Sequence, residues 1–411
     1  MTFARSDRAP RAPLQPHASR RLSGLLLMLL ALPVLAGAAS LPPLPTDAEI
    51  DAQMQAAMDA TGARGLALAV IDQGKVVSVL THGDRNAAGD PLRGNSIMYG
   101  ASLTKAAFAY MVMQLVDEGL IDLDRSIADY LPKPLPSYGH PAGFAPWQDL
   151  ADEPRWRNLT PRILLSHAAG FANYAFLEPD GKLRTHFEPG SHYAYSGEGY
   201  ILLQFVLQEG LGLDVGAEMQ RRVFQRLEMA DTSMVWRDDF ADRLADGWTA
   251  EGKAIAHDAR SRVRASGSMD SSIADIARLV AGHVRGDGMG MAAHAEMLRP
   301  WLPISTATQF PTLQVALPLE QRRADLGAAL GVIIFDGPLG PGYMKGGHDD
   351  STGNTWVCLQ QGRRCVVILS NDVRAEPTFP ALVRSVLGSS GAPWEWEYGA
   401  MKFWSEEGRT D

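Results

Sequence analysis

Cysteine is nearly absent: Cys358 and Cys365 are the only two in 411 residues, so the chain holds at most one internal disulfide. Several site signatures are missing altogether. There is no P-loop, no dinucleotide fingerprint, no H-E-x-x-H, no calcium loop and no G-x-S-x-G nucleophile elbow. The common nucleotide, metal and redox chemistries therefore have no foothold here, and neither a metal nor a cofactor is expected. Positive charge is in deficit, with 38 Lys and Arg against 47 Asp and Glu and a net charge of -9. Because the first 38 residues are themselves basic, the remainder is more acidic still, which argues against nucleic acid or anionic lipid as a partner. Beyond that opening segment there is no internal repeat, no low-complexity tract and no run fit to span a bilayer.

What is present describes an ordinary globular protein, 46% hydrophobic and 21% charged. The chain opens with a targeting pattern. Arg20 and Arg21 precede an apolar run from Leu25 to Leu35, and Ala36-Gly37-Ala38 offers the small residues a signal peptidase cuts beside. A signal peptide over 1–38 is expected, with Ser19-Arg20-Arg21 hinting at a twin-arginine route, and a periplasmic or secreted mature protein follows. In that oxidising setting Cys358 and Cys365 face each other across a hairpin turn at Gln361-Gly362, a geometry suited to a disulfide.

Along the mature chain, Thr46 and Glu49 form a capping box before a helix patterned by Ile50, Met54, Ala57 and Met58. Gly65–Ile71 and Lys75–Leu80 read as a β-hairpin, and Ser102–Leu115 as a helix apolar on most sides. Helices are expected near Thr160–His167, Gly199–Gln208, Ala217–Arg226 and Ser272–Val284. Strands return at Ala328–Phe335, Thr355–Leu359 and Cys365–Ser370, and a helix closes the pattern at Pro377–Leu387. This order implies an α/β, two-lobed architecture: an antiparallel sheet flanked by helices and assembled from both ends of the chain, with a mainly helical lobe inserted. The expected lobes are 46–118 with 286–390, and 119–285, in a domain over 39–390. A tail rich in Trp and Tyr follows over 391–411, expected to pack back on the body.

The chemistry centres on Ser102-Leu103-Thr104-Lys105 at the start of the apolar helix. A serine hydroxyl needs a base to become a nucleophile, and residues three apart share a helix face, so Lys105 can bring its amine to Ser102. Burial and a second cation would depress the Lys105 pKa enough for it to act as that base. Two further segments carry candidate groups: Tyr195 in the Gly-rich turn Phe187–Tyr200, and Lys345-Gly346-Gly347-His348 before the last strand pair, where glycines let backbone approach a ligand.

These three elements, in this order, resemble the serine β-lactamase and penicillin-binding-protein superfamily. The class C β-lactamase-related branch, with its D-aminopeptidases, DD-peptidases and esterases, is the nearest part of it. Gly119–Leu123, Leu159–Gly170, Phe187–Gly190 and Ala265–Ser271 resemble further landmarks of that family. The resemblance implies that Ser102 forms an acyl-enzyme, Lys105 is its partner base, and Tyr195 and Lys345 are the tyrosine and lysine of the second and third motifs. It also implies an oxyanion hole from the N–H groups of Ser102 and His348, with Gly346 and Gly347 lining the substrate. Two departures stand out, for Tyr195-Ser196-Gly197 lacks the family's Asn and Lys345-Gly346-Gly347 lacks its Thr. The expectation is an exported, monomeric serine hydrolase acting on a small-molecule or peptide ester or amide. Esterase or D-amino-acid peptidase activity is expected ahead of β-lactamase activity. The alternative is a catalytically impaired protein that binds penicillin or cell-wall fragments as a sensor.

Overall fold

The computed structural model describes residues 40–404; the expected signal segment and the end of the tail lie outside them. Helix α1 (Asp47–Thr61) begins with the capping box: Thr46 Oγ1 accepts the Glu49 N–H, and the Glu49 carboxylate accepts the Thr46 N–H at 2.7 Å. Strands β1 (Gly65–Asp72) and β2 (Lys75–Gly83) form the predicted hairpin, closed through Gln73-Gly74 with both residues at positive φ, as such a tight turn requires. The short strand β3 (Met98–Tyr99) leads into α2 (Leu103–Asp117), whose residues from Leu103 to Leu115 are all buried. A helix apolar all round must sit inside the molecule, and α2 does.

The helical region that follows contains α3 (Pro161–Leu165), α4 (Gly197–Leu211) and α5 (Val215–Met219), the last running on into a π-turn over Gln220–Gln225. Side-chain caps from Thr160, Ser196 and Asp214 start these three helices. A small ribbon pairs β4 (Gly247–Trp248) with β5 (Ala254–Ile255), and β6 (Asp270–Ser271) pairs back onto β3. Helices α6 (Ile273–Arg285) and α7 (Met291–Met297) return the chain to the sheet. There β7 (Leu302–Pro303), β8 (Gly327–Ala328), β9 (Ile333–Gly337), β10 (Gly340–His348), β11 (Gly353–Leu359) and β12 (Arg364–Ser370) complete it, before α8 (Phe379–Leu387) and α9 (Trp394–Tyr398).

The eight-stranded sheet has the order β2-β1-β12-β11-β10-β9-β8-β7, with every neighbouring pair antiparallel. Both ends of the chain meet in it where Leu66 pairs with Ser370 and Ile71 with Cys365. The inner strands β1 and β12 read as near-continuous apolar runs because both their faces are covered, whereas β2 at the edge is largely exposed. On β1, Ala67, Ala69 and Ile71 face the core shared with α2 and α6, while Leu66, Leu68 and Val70 face the layer of α1, α8 and α9. Cys358 and Cys365 lie directly opposite and are joined, with Cα atoms 4.1 Å apart. The connection between them is a short 3₁₀ turn over Gln361–Arg363, longer than the two-residue turn expected; it is centred on the same residues and keeps the register.

The sheet is wider than the three late strands the sequence displays. Ala328–Phe335 divides into β8 and β9 at Gly331, whose φ is +87°, and β10 is a full strand although four of its nine residues are glycine. Among the described residues no helix is long and apolar enough to cross a membrane.

Candidate active site

Ser102 stands at the N-terminus of α2, immediately after Ala101, whose φ of +45° is unusual for a residue with a side chain. The turn is held by Thr104, whose hydroxyl donates to Ala101 O at 2.6 Å, and by the Leu103 N–H donating to Gly100 O at 3.0 Å. One turn on, Lys105 is wholly buried, and its Nζ donates to Ser102 Oγ at 3.0 Å and to Ser266 O at 2.6 Å. The Ser266 carbonyl reaches this point because the β3–β6 pairing and a 2.7 Å bond from the Tyr99 hydroxyl to Gly267 O tie the segment to the start of α2. Burial, then the charge of Lys345, holds the Lys105 amine well below the ordinary lysine range. A neutral amine within reach of a hydroxyl can take its proton.

Both amines lie against the ring of Tyr195. Lys105 Nζ is 4.9 Å from its ring centroid and Lys345 Nζ is 5.3 Å from it. Burial pushes the phenol well above its ordinary value, and hydrogen bonding with the Ser102 hydroxyl draws it part of the way back. The phenol is therefore a neutral group beside the nucleophile. Burial lowers Lys345 to about 8, against the raising influence of the Glu397 carboxylate.

His167 stacks on Tyr195 with centroids 4.2 Å apart, and its Nδ1 accepts the Ser196 N–H at 3.1 Å. Burial and the two lysines hold the imidazole well below its ordinary value, so it is a neutral plate fixing the phenol in place. The helix predicted over Thr160–His167 stops at Leu165, and His167 itself takes a φ of +59°.

Gly346 and Gly347 continue β10 past the nucleophile. A Cβ on Gly347 would come 3.0 Å from Ser102 N and 2.7 Å from Leu103 N, so only a residue without a side chain lets the strand close on the helix N-terminus. That approach sets the backbone of Gly347-His348 beside the Ser102 N–H at the positive end of α2. The His348 ring is turned to Glu376, with Nδ1 3.3 Å from Oε1. Burial pushes this imidazole down, but the Glu376 carboxylate outweighs it and the ring sits above its ordinary value.

The two departures from the family pattern have a common structural cause. A Cβ on Gly197 would lie 2.6 Å from the Tyr174 ring, and a Cβ on Gly346 would lie 2.0 Å from Glu397 Oε1. Each glycine is thus covered by a large side chain from elsewhere in the sequence. Tyr174 donates to Ser266 Oγ at 3.3 Å, while its neighbour Asn173 accepts the Gly197 N–H at 2.8 Å and brings an amide to the cleft wall. Gly346→Ala is expected to destabilise the protein by about 1–3 kcal/mol through overpacking against Glu397. Urea unfolding of Gly346→Ala, Glu397→Ala and the double variant checks this, the double variant being less destabilised than the sum of the singles.

The cleft has a volume of about 490 Å³, and Ser102, Lys105, Tyr195, Gly346, Gly347 and His348 all line it. Lys345 lies just beneath, in contact with the Tyr195 ring. The candidate catalytic and oxyanion residues from the sequence are thus in one place, while Cys358 and Cys365 lie apart in their disulfide. Sequence reasoning passed over His167, Asn173, Tyr174, Gln309 and Glu397, which also surround the site. His167 lies within a recognisable stretch, Leu159–Gly170, and Asn173-Tyr174 follow it closely, so these carried at least a positional signal. Glu397 and Gln309 carried none.

A family model described as Beta-lactamase matches residues 50–387. The chain belongs to the beta-lactamase family. Among curated proteins, this beta-lactamase-family chain is 28% identical over 225 residues to the lovastatin esterase of Penicillium rubens, covering 48% of this chain and 56% of that protein. It is 26% identical over 194 residues to penicillin-binding protein 4 of Amycolatopsis lactamdurans, covering 44% and 47%. The chain spans about half the length of these curated relatives. Among solved structures, the D-alanine carboxypeptidase AmpC from Burkholderia cenocepacia superposes with a TM-score of 0.64 at 16% identity, covering 82% of this chain and 97% of that one. That likeness establishes the beta-lactamase/transpeptidase fold, an antiparallel sheet with helices.

Proposed function

We propose that this beta-lactamase-family protein is an exported serine hydrolase that cleaves an ester or amide through an acyl-enzyme on Ser102. The observation that carries the reading is the buried Lys105 amine 3.0 Å from Ser102 Oγ, with Lys345 on the same phenol ring. Lys105 accepts the Ser102 proton as Oγ attacks the substrate carbonyl carbon. The oxyanion that forms is held by the N–H groups of Ser102 and His348. Collapse of this intermediate breaks the bond to the leaving group, which takes the proton back from Lys105 by way of the Tyr195 hydroxyl. Water then attacks the acyl carbon by the same proton path in reverse and frees Ser102.

Esterase activity ranks ahead of D-amino-acid peptidase and β-lactamase activity. An esterase stands among the curated relatives, and the cleft is walled by Tyr174, Phe176 and Phe310, with Phe176 73% exposed and stacked on Tyr174 at 5.2 Å. Such a wall suits an apolar group. The disulfide accords with export.

The test is intact-protein mass spectrometry after mixing with p-nitrophenyl acetate, alongside continuous release of nitrophenolate. A transient acetyl adduct on the Ser102 peptide with sustained turnover is expected. A stoichiometric adduct that never clears would identify a sensor, and an adduct elsewhere would remove Ser102 from the mechanism.

A further inference from the structure

Glu397 belongs to no motif, yet its carboxylate lies in the wall of the catalytic cleft, 95% buried side chain and all. Helix α9 delivers it: Trp394 and Trp396 pack into the core beneath the sheet, and Trp396 donates through its indole to Thr306 Oγ1 at 3.1 Å. The carboxylate then rests on Gly346, where a Cβ would meet Oε1 at 2.0 Å. A buried carboxylate is costly to keep, and this one is pushed above its ordinary value by burial while Lys345, His348 and a hydrogen bond with Gln309 act to hold its charge.

Glu397 also forms part of a second cleft, of about 670 Å³, which opens beside the first and shares Phe310, His348 and Asp349 with it. The walls of this second cleft add Glu251, Asp350 and Glu376, and among the described residues no Lys or Arg lines it. Among the described residues that line it, His348 is the one basic group, and it already faces Glu376. Arg264 lines the first cleft with the segment that carries Ser266 and Gly267 and is not among the residues lining the second. A substrate group extending along Gly346–Asp349 from the nucleophile therefore passes a carboxylate and enters an acidic space.

We propose that Glu397 is a specificity-determining residue, selecting substrates whose ester or amide carries an ammonium group on the side facing β10 and α9, and disfavouring those with a carboxylate there. The inference rests on the Ser102 hydrolase reading. A negative wall next to the reacting carbonyl attracts the one sign of charge and repels the other, and does so most strongly where water is excluded.

Competitive inhibition of p-nitrophenyl acetate hydrolysis by n-butylammonium, n-butanol and butyrate reads this preference whichever end of a substrate lies there. Butylammonium is expected to bind about tenfold more tightly than butyrate in the wild-type protein, with butanol between them. In Glu397→Gln the ammonium-to-butyrate ratio is expected to collapse toward one, whereas a merely structural role would weaken all three ligands together. Equal or tighter binding of butyrate by the wild-type protein overturns the inference without any variant, and so does an unchanged ratio in a folded Glu397→Gln. Hydrolysis and Ser102 acetylation with no charge preference sinks this inference alone. Absence of both hydrolysis and acetylation sinks it together with the hydrolase reading.

Discussion

Ser102→Ala is expected to lower kcat for p-nitrophenyl acetate by about 10⁴-fold or more and to abolish the acetyl adduct. The loss is large because Ser102 Oγ is the hydroxyl bonded to the Lys105 amine, whereas Ser266 Oγ in the same wall is engaged by the Tyr174 hydroxyl. Thr104, the nearest other hydroxyl on the helix, donates to Ala101 O and is fully buried. Ala at position 102 removes a hydroxyl from the wall of an open cleft and leaves the α2 backbone intact, so melting temperature is expected to stay close to wild type. Steady-state kinetics and intact mass on the same preparations check both halves. Retained turnover in Ser102→Ala would eliminate the acyl-enzyme.

Lys105→Met is expected to reduce kcat by about 10²–10⁴-fold with little change in KM, the signature of losing a proton acceptor and not a binding contact. Methionine keeps most of the buried stem's volume, so packing along α2 survives. The pH profile carries the sharper distinction. Lys105 acts as a base only when neutral, so the wild-type rate rises as pH passes upward through its depressed pKa. It then falls as Lys345, lowered to about 8, loses its charge. Lys345→Met removes the like charge that helps depress Lys105; the acid limb is expected to move to higher pH and the limb near 8 to disappear. A profile of kcat/KM that keeps both limbs in place would contradict these roles.

The legible part of this molecule was the part written in short-range spacing. Ser102 and Lys105 sit three apart on a helix whose buried face is continuous, so their meeting follows from helix geometry alone. Alternation in β1 and β12 was hidden by double-sided burial, yet their apolar runs still marked them as strands. Strand β10 was not visible because Gly340, Gly342, Gly346 and Gly347 lower strand propensity; Phe335, Glu397 and the N-terminus of α2 press where side chains would stand. Tyr195 and Lys345 were placed by family resemblance, since nothing local indicates that they face one another.

Glu397 shows the limit most clearly. Its neighbours Trp394 and Trp396 announced a segment that packs, but the partner it covers, Gly346, lies about 50 residues earlier and reads on its own only as a missing Thr. The two anomalies explain each other once they touch. The same holds for Gly197 and Tyr174.

The pairing of β1 with β12 joins positions roughly 300 apart, inside the sheet and one strand in from its β2 edge. Such a seam cannot close on a growing polypeptide until β12 has been made, and loops that large are slow to bring together. Until then the β1–β2 hairpin presents the β1 side as an uncovered row of amides and carbonyls, an edge open to pairing with any neighbouring strand.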